Sequence, residues 1–176
     1  LRREEVDLVG LLVDTVADAR AAGPEHDWQL DLAVLEPPAG ATAEEAEDFL
    51  PEPPLVIGDE ARLRQVVVNL LANARVHTPA GSHVTTTLMR EGDTLIVRIH
   101  DDGPGIAPDV RDRLFERFAR GDSSRERRTG STGLGMSIAL AIVQSHRGSI
   151  DVDSSTASED HGTTFTVRLP AAVVEE

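Results

Sequence analysis

The sequence predicts an α/β protein: an α+β two-layer sandwich in which helices cover one face of a mixed, mostly antiparallel sheet. Two observations support this prediction. Apolar residues recur at helical spacing in long segments at about 6–22, 60–77 and 134–146. Segments that alternate like strands, 83–90 and 94–100, are separated by a short Gly-containing turn that is typical of a hairpin. Long helices mixed with hairpin-linked strands are expected to pack as two layers.

The elements can be predicted in chain order. The first helix ends at Gly23-Pro24, and a strand is expected over 28–35. Residues 36–54 hold five of the ten prolines and six acidic residues, so we expect a mobile insertion with a short helical turn at 43–49. Asp59 can cap the second long helix. The remaining predicted elements are strands at 55–57, 149–153 and 163–169 and a short helix at 108–114.

Composition limits the classes of function. The 176 residues fit one domain, and no apolar run approaches the roughly 20 residues that span a bilayer. The chain begins with LRREE rather than Met, so we expect a fragment of a longer protein. The net charge of −14 predicts no nucleic-acid partner. All 17 basic residues are Arg, and seven of them lie within 111–128, which indicates either a solvated basic loop or a positive patch facing a small polyanion.

The segment NLLANARVHTP, residues 69–79, puts two amides on one face of a helix. Asn69 and Asn73 are four residues apart, or about 400° of rotation, so their side chains lie roughly one turn apart. Asn is a poor residue for a helix interior. One amide oxygen beside a triphosphate suits Mg²⁺, which takes one or two protein oxygens and fills its octahedron with water and phosphate. The alternative is a polar helix face in solvent.

The segment DDGPG, residues 101–105, follows a predicted strand. The carboxylate of Asp101 can accept a hydrogen bond from the exocyclic amine of adenine. Guanine presents a carbonyl there, so this contact would distinguish the two bases. Gly103 and Gly105 would let the backbone approach a flat ligand without a Cβ in the way. The alternative is an ordinary Gly-rich turn.

Glycines also precede the last predicted helix, in GSTGLGM at 130–136. Bare backbone N–H groups at a helix start, aligned with the helix dipole, suit phosphate. The segment has no Gly-Lys-Ser/Thr and does not follow a strand, so it is neither a P-loop nor a dinucleotide fingerprint. The alternative is a flexible hinge.

The order of these segments resembles the catalytic ATP-binding domain of a sensor histidine kinase of a two-component system, in the GHKL superfamily. NLLANARVHTP resembles the N-box, DDGPGI the first glycine box, LFERFAR the phenylalanine box and TGSTGLGMSIA the second glycine box. HRGSIDVDSS and GTTFTVRLP are similar to the closing strands of the family. The resemblance covers about residues 4–170 and implies the Bergerat ATP-binding fold. The use of Arg for every basic residue and the segment HTPAG at 77–81 indicate an actinobacterial source.

The resemblance implies roles for individual residues. Asn73 would hold Mg²⁺, Asn69 would sit by the phosphates of ATP, and Asp101 would bind the adenine amine with support from Thr164. The other residues expected to bind ATP are Arg75, His77, Gly103, Gly105, Ile106, Phe118, Arg120, Arg125, Thr132, Gly133, Leu134, Gly135 and Met136. The implied organisation is a linker at 1–5, an ATP-binding domain at 6–170 with an ATP lid at about 116–132, and a tail at 171–176.

The chain departs from the family pattern at three points. Val76 stands where Lys is common, so Arg75, His77 or an Arg of the lid is expected to replace that phosphate contact. Ser131 stands where Gly is common. None of the six His residues has the sequence context of a phosphoacceptor, so no catalytic residue is expected within this fragment.

The expected function is therefore that of the ATP-binding part of a protein-histidine kinase. It would bind Mg·ATP and transfer the γ-phosphoryl to a His on a separate dimerisation domain, and a response regulator would be a further partner. The fragment would be a cytoplasmic domain of a sensor anchored in the plasma membrane. The alternatives are a non-catalytic nucleotide-binding or scaffold module and another GHKL ATPase. The latter is disfavoured because Asn69 occupies the position of its Glu general base, and an amide cannot take a proton from water.

Overall fold

The computed structural model describes residues 1–110 and 133–173. The elements in chain order are β1 (Glu4–Asp7), α1 (Leu8–Ala22), β2 (Asp27–Asp31), a 3₁₀ turn (Ala33–Leu35), α2 (Ala43–Glu47), β3 (Leu55–Gly58), α3 (Glu60–His77), β4 (His83–Glu91), β5 (Thr94–Asp101), α4 (Gly133–Ser145), β6 (Ser149–Ser155) and β7 (Gly162–Pro170). Of the helix predicted at 108–114, residues 108–110 are helical and the rest lies outside the described residues.

Five strands form the main sheet, in the order β2-β4-β5-β7-β6. Only β2 and β4 run parallel, and the other three pairs are antiparallel. The predicted mixed, mostly antiparallel sheet is therefore confirmed. β1 pairs with β3 in a separate two-stranded sheet.

One face of the main sheet carries the core, because side chains alternate between the faces along each strand. In β5 the core row is Leu95, Val97, Ile99 and finally Asp101, all buried. α3 packs between α1 and α4 over this face. Its buried stripe, at helical spacing, is Leu63, Val66, Val67, Leu70, Leu71 and Ala74. The helical layer on one face of the sheet is the predicted two-layer arrangement.

The chain differs from the prediction near its start. The first helix begins at Leu8 rather than at about residue 6, because residues 4–7 form β1, in which Val6 is buried and lies opposite Val56 of β3. Asp7 then caps α1 by accepting a hydrogen bond from Val9 N. The strand predicted at 28–35 ends at Asp31, where pairing with β4 stops, and the following 3₁₀ turn buries Val34 instead.

The Pro-rich segment at 36–54 is largely exposed. Its one helix, α2, is held by a capping box in which Thr42 and Glu45 exchange hydrogen bonds between side chain and backbone. An ion pair of 3.0 Å joins Glu52 to Arg90 of β4. The expectation that this segment is a dispensable insertion stays a prediction.

Candidate functional site

Several of the predicted site residues that the structure describes lie where the second half of α3, the end of β5 and the start of α4 meet. Asp59 begins α3 by accepting from Arg62 N, and the apolar stripe of the helix fixes its rotation against the sheet. Asn69 and Asn73 are both half-buried at the flank of that stripe. The amide nitrogen of Asn69 donates to the backbone oxygen of Gly135 at 3.2 Å, so α3 and α4 are joined at the site.

The structure separates Arg75 from the two Asn residues. Arg75 follows Asn73 by about 200° of helical rotation, which puts it on the far side of α3. Its stem packs against Gly23, where an added Cβ would lie 2.8 Å from the Arg75 Cδ, and it lines a groove with Trp28. His77 follows Asn73 by one turn, is exposed, and shares the Asn face. Of the two neighbours of Val76 that were expected to contact phosphate, Arg75 thus lies away from the Asn residues and His77 lies on their side of α3.

Asp101 is buried because it continues the core row of β5 to the last residue of the strand. It is 7% exposed, and its Oδ1 accepts a hydrogen bond from Gly103 N at 3.0 Å. Burial raises the pKa of this carboxyl, and hydrogen bonds from the backbone N–H groups of Gly103 and Thr163 oppose the rise without cancelling it. Burial thus disfavours the ionised form of Asp101. A bound ligand that donates a hydrogen bond to the carboxylate would stabilise that form.

The loop after β5 is held by close packing at its glycines. A Cβ on Gly103 would lie 2.5 Å from the Thr78 Cγ2, and one on Gly105, which has φ of 81°, would collide with the Ser155 carbonyl. Ile106 N donates to the Ser154 Oγ at 2.7 Å, and His161 Nδ1 donates to the Gly103 oxygen at 2.6 Å. The glycines therefore serve the packing of this loop on its neighbours.

Thr163, rather than Thr164, lies beside Asp101. In the ladder between β5 and β7, Asp101 is opposite Thr163, which is buried. Thr164 points to the other face of the sheet, where its hydroxyl bonds to His100 Nδ1 at 2.8 Å. The sequence prediction was wrong by one residue, and a shift of one residue in a strand changes the face.

At the start of α4, Gly133 is the first helical residue. Met136 is 2% exposed and belongs to the core, so its side chain supports α4 rather than facing a ligand. The side chain of Leu134 is not described. The other predicted ATP-binding residues, Phe118, Arg120, Arg125 and Thr132, lie outside the described residues, as does the predicted lid.

Two residues that the sequence reasoning missed complete the site. Thr78 follows α3 directly, and its buried methyl group supports Gly103. His26, in the loop between α1 and β2, bonds to the Thr78 hydroxyl at 2.8 Å. Thr78 lies within the N-box segment and could have been included on that ground. His26 is 52 residues away from Thr78 and gives no local signal.

Comparison with known protein families shows which family this chain belongs to. Residues 58–173, more than half of the chain, match the family described as "Histidine kinase-, DNA gyrase B-, and HSP90-like ATPase". The chain belongs to this family. It thus contains a GHKL catalytic ATP-binding domain, as the sequence predicted.

Within the family, the relatives are sensor histidine kinases. The probable sensor histidine kinase TcrY of Mycobacterium tuberculosis is 48% identical over 170 residues, which are 97% of this chain and 31% of TcrY. The mycobacterial sensor histidine kinase MprB has 26% identity and a TM-score of 0.73 over 98% of this chain and 99% of the solved one. Full-length ShkA, solved in complex with AMPPNP, has 25% identity and a TM-score of 0.73 over 100% of this chain and 32% of its own.

The chain therefore corresponds to the ATP-binding catalytic domain of sensor histidine kinases, and it has their fold. It spans about a third of the length of its curated relative TcrY. Within the described residues, we find no helix that is both long and apolar enough to cross a membrane.

Proposed function

We propose that this chain binds Mg·ATP at the junction of α3, the end of β5 and the start of α4. We further propose that it presents the γ-phosphoryl to a His on a separate helical domain of the parent kinase. Asp101 accepts from the adenine amine, Asn69, Asn73 and His77 face the phosphates, and Asn73 contributes an oxygen to the metal.

The buried carboxyl of Asp101 is the observation that carries this proposal. A buried charge is costly to a fold unless it is paired, and the raised pKa of Asp101 records that cost. A ligand amine that donates to the carboxylate would offset the cost on binding. A buried acid whose pKa is raised by desolvation is a candidate for a functional group. The AMPPNP bound to the relative ShkA supports an adenine nucleotide as the ligand.

The phosphate side of the proposal rests on α3 and α4. The Asn face of α3 adjoins the first turn of α4, since Asn69 bonds to the Gly135 oxygen. α4 has 13 residues and opens with glycine, so free N–H groups and the positive end of its dipole favour an anion there. His77 adds a side chain that can donate to phosphate on the same face. Arg75 is left out because it lies on the other side of α3.

The described residues fit a metal that is held mainly by nucleotide. Among residues 1–110 and 133–173 there is no cluster of three His, Cys, Asp or Glu that could hold a metal ion. Mg²⁺ needs few protein ligands when phosphates are present, so the amide oxygen of Asn73 suffices. When bound, the metal would neutralise charge on the phosphates.

The transfer itself requires a partner domain. Phosphoryl transfer depends mostly on positioning and charge neutralisation, and this chain would supply both. Its six His residues include none in a phosphoacceptor context, so the chain alone should turn over little ATP. We propose that the acceptor lies on the dimerisation domain of a membrane-anchored sensor, that this chain faces the cytoplasm, and that a response regulator receives the phosphoryl group.

Thermal melting tests the binding step. Mg·ATP should raise the Tm of the wild-type chain, and EDTA should remove most of the increase. In Asn73→Ala the increase should no longer depend on Mg²⁺, whereas Arg75→Ala, a matched truncation on the opposite side of α3, should keep the wild-type response. An Asn73→Ala response identical to wild type would reject the metal role, and no response in wild type would reject ATP binding.

Autophosphorylation tests the transfer step. The chain joined to the helical domain of its parent should label that domain from radioactive ATP, and the chain alone should not be labelled. ATP binding without any transfer to the joined domain would instead indicate a non-catalytic nucleotide-binding module.

A further inference from the structure

His26 is a buried histidine that the proposed function does not use. It lies in the loop between α1 and β2, and its side chain is 3% exposed. It contacts the residue at the C-terminal end of α3, the helix that carries both Asn residues. A buried titratable group next to a binding site calls for a physical explanation.

The hydrogen bonds of Thr78 define how His26 acts. The Thr78 hydroxyl lies 2.6 Å from the Ala74 carbonyl, to which it donates its only hydrogen. The same hydroxyl oxygen lies 2.8 Å from the His26 Nε2 and must therefore accept from it. Nε2 carries the hydrogen, while Nδ1 has no hydrogen-bond partner among residues 1–110 and 133–173 and faces Glu25 at 3.7 Å. This pair of bonds fixes the rotamer of Thr78.

The fixed rotamer determines where the methyl group of Thr78 points. The Thr78 Cγ2 lies directly against Gly103, so closely that a Cβ there would be 2.5 Å away. Gly103 N in turn donates to the Asp101 Oδ1 at 3.0 Å. A continuous path of contacts thus runs from His26 through Thr78 and Gly103 to the carboxylate.

We propose that His26 is a positioning residue for the adenine pocket: through Thr78 it holds Gly103 in place, and Gly103 orients the Asp101 carboxylate. This inference rests on the proposed adenine contact of Asp101. It assigns a role to a residue outside the sequence segments that resemble the family boxes.

The loop that carries His26 has other anchors. Gly81 N donates to the Glu25 oxygen at 2.8 Å, and Asp27 N donates to the Ser82 oxygen at 3.0 Å. These bonds hold the loop against the turn that follows α3 without any contribution from the imidazole. Substituting His26 should therefore release the Thr78 side chain while the loop backbone stays in place.

Two substitutions at position 26 separate positioning from packing. His26→Leu keeps apolar bulk but removes the donor, and His26→Gln keeps an N–H donor at a similar distance from the backbone. We expect His26→Leu to weaken ATP binding by about three- to tenfold in calorimetry, which corresponds to the loss of one net hydrogen bond. His26→Gln should restore most of the affinity. His83→Gln is the control, because His83 is exposed and pairs with Asp27 through its side chain.

Thr78→Val tests the path at its next step. Valine keeps a methyl group against Gly103 but cannot accept from His26, so its ATP affinity should match that of His26→Leu. The double variant should be no weaker than Thr78→Val alone, because Thr78→Val already removes the hydrogen bond to His26 as well as the one to Ala74. If His26→Leu does not fold, Thr78→Val compared with wild type tests the path by itself, and Thr78→Val should bind ATP more weakly.

The outcomes separate this inference from the proposed function. Wild-type chain that fails to bind ATP overturns both. Wild-type chain that binds ATP, with His26→Leu and Thr78→Val binding equally well but melting at lower temperature, leaves the proposed function intact and reduces His26 to a packing role. Affinity lost in His26→Leu and not restored in His26→Gln would also contradict positioning through the N–H donor.

Discussion

The two ends of α3 are each held by a buried histidine, but in opposite hydrogen-bonding senses. At the N-terminal end, His146 Nε2 accepts from Asp59 N at 3.0 Å, and its Nδ1 donates to the Ile142 oxygen at 2.7 Å. At the C-terminal end, His26 Nε2 donates to Thr78. His146 and His26 are both buried, and each links α3 to another part of the chain.

The difference lies in what each histidine leads to. His146 satisfies both ring nitrogens within the helical layer, and Gly58 packs on its ring. The contacts of His26 continue through Thr78 to Gly103 and the loop after β5. We therefore infer that the N-terminal end of α3 contributes mainly to stability, and that the C-terminal end also contributes to the geometry of the candidate site. The glycine substitutions and the pH dependence change one end of α3 and use the other end as the control.

The largest effect is expected from alanine at the glycine that packs on each end. A Cβ on Gly58 would lie 2.6 Å from the His146 Nε2, and one on Gly103 would lie 2.5 Å from the Thr78 Cγ2. Overpacking of this kind costs about 1–3 kcal/mol, so both variants should unfold at lower urea concentration. Only Gly103→Ala should also weaken ATP binding in calorimetry. An equal loss of affinity in Gly58→Ala would show that the two ends do not differ in this way.

The two acids near these ends should give opposite changes of stability with pH. Burial raises the pKa of Asp101, whereas a hydrogen bond from the Arg2 backbone lowers the pKa of Asp59 from its ordinary value of 3.8. An acid with a raised pKa destabilises the fold above its unfolded pKa, and an acid with a lowered pKa stabilises the fold there. The test is therefore to compare the stability of the wild-type chain with that of each Asn variant as the pH falls.

Relative to Asp101→Asn, the wild-type chain should gain stability as the pH falls through the folded pKa of Asp101 toward 3.8. Relative to Asp59→Asn, it should lose stability as the pH falls below 3.8. Urea unfolding of the three proteins between neutral pH and about pH 3 measures both trends. Parallel curves for wild type and Asp101→Asn would show that the burial of Asp101 carries no cost.

The smallest effect is expected away from both ends, in the Pro-rich segment. Replacing residues 38–52 by a short Gly/Ser link removes the ion pair between Glu52 and Arg90, whose Glu side chain is 73% exposed. Exposed pairs contribute about 0–1 kcal/mol, and loop length changes stability little. Stability should change by less than about 1 kcal/mol, and ATP affinity should stay the same. A larger loss of either would mean that the segment packs on the core.

Local sequence patterns predicted the fold well where one element determines its own bounds. α3 runs from Glu60 to His77 as predicted, because Asp59 caps it and its apolar stripe is unbroken. β1 was missed because only Val6 among its four residues is buried, and the strand depends on β3, about fifty residues away in sequence. Short pairings of distant segments leave little local signal.

The candidate site shows the same division between local and distant information. Asn69, Asn73 and Asp101 could be selected from their spacing and their neighbours. The separation of Arg75 from the two Asn residues also follows from helical rotation alone. The choice of Thr163 over Thr164 required the register between β5 and β7, and the part played by His26 required the tertiary fold.

The central claim is that the C-terminal end of α3 and the end of β5 form an adenine pocket around Asp101. Calorimetric titration of the wild-type chain and Asp101→Asn with Mg·ATP and Mg·GTP tests it most directly. The wild-type chain should bind ATP and not GTP, and Asp101→Asn should lose about 1–3 kcal/mol of ATP binding, as expected for a hydrogen bond to a charged group. Equal binding of ATP and GTP by wild type, or unchanged ATP affinity in Asp101→Asn, would contradict the claim.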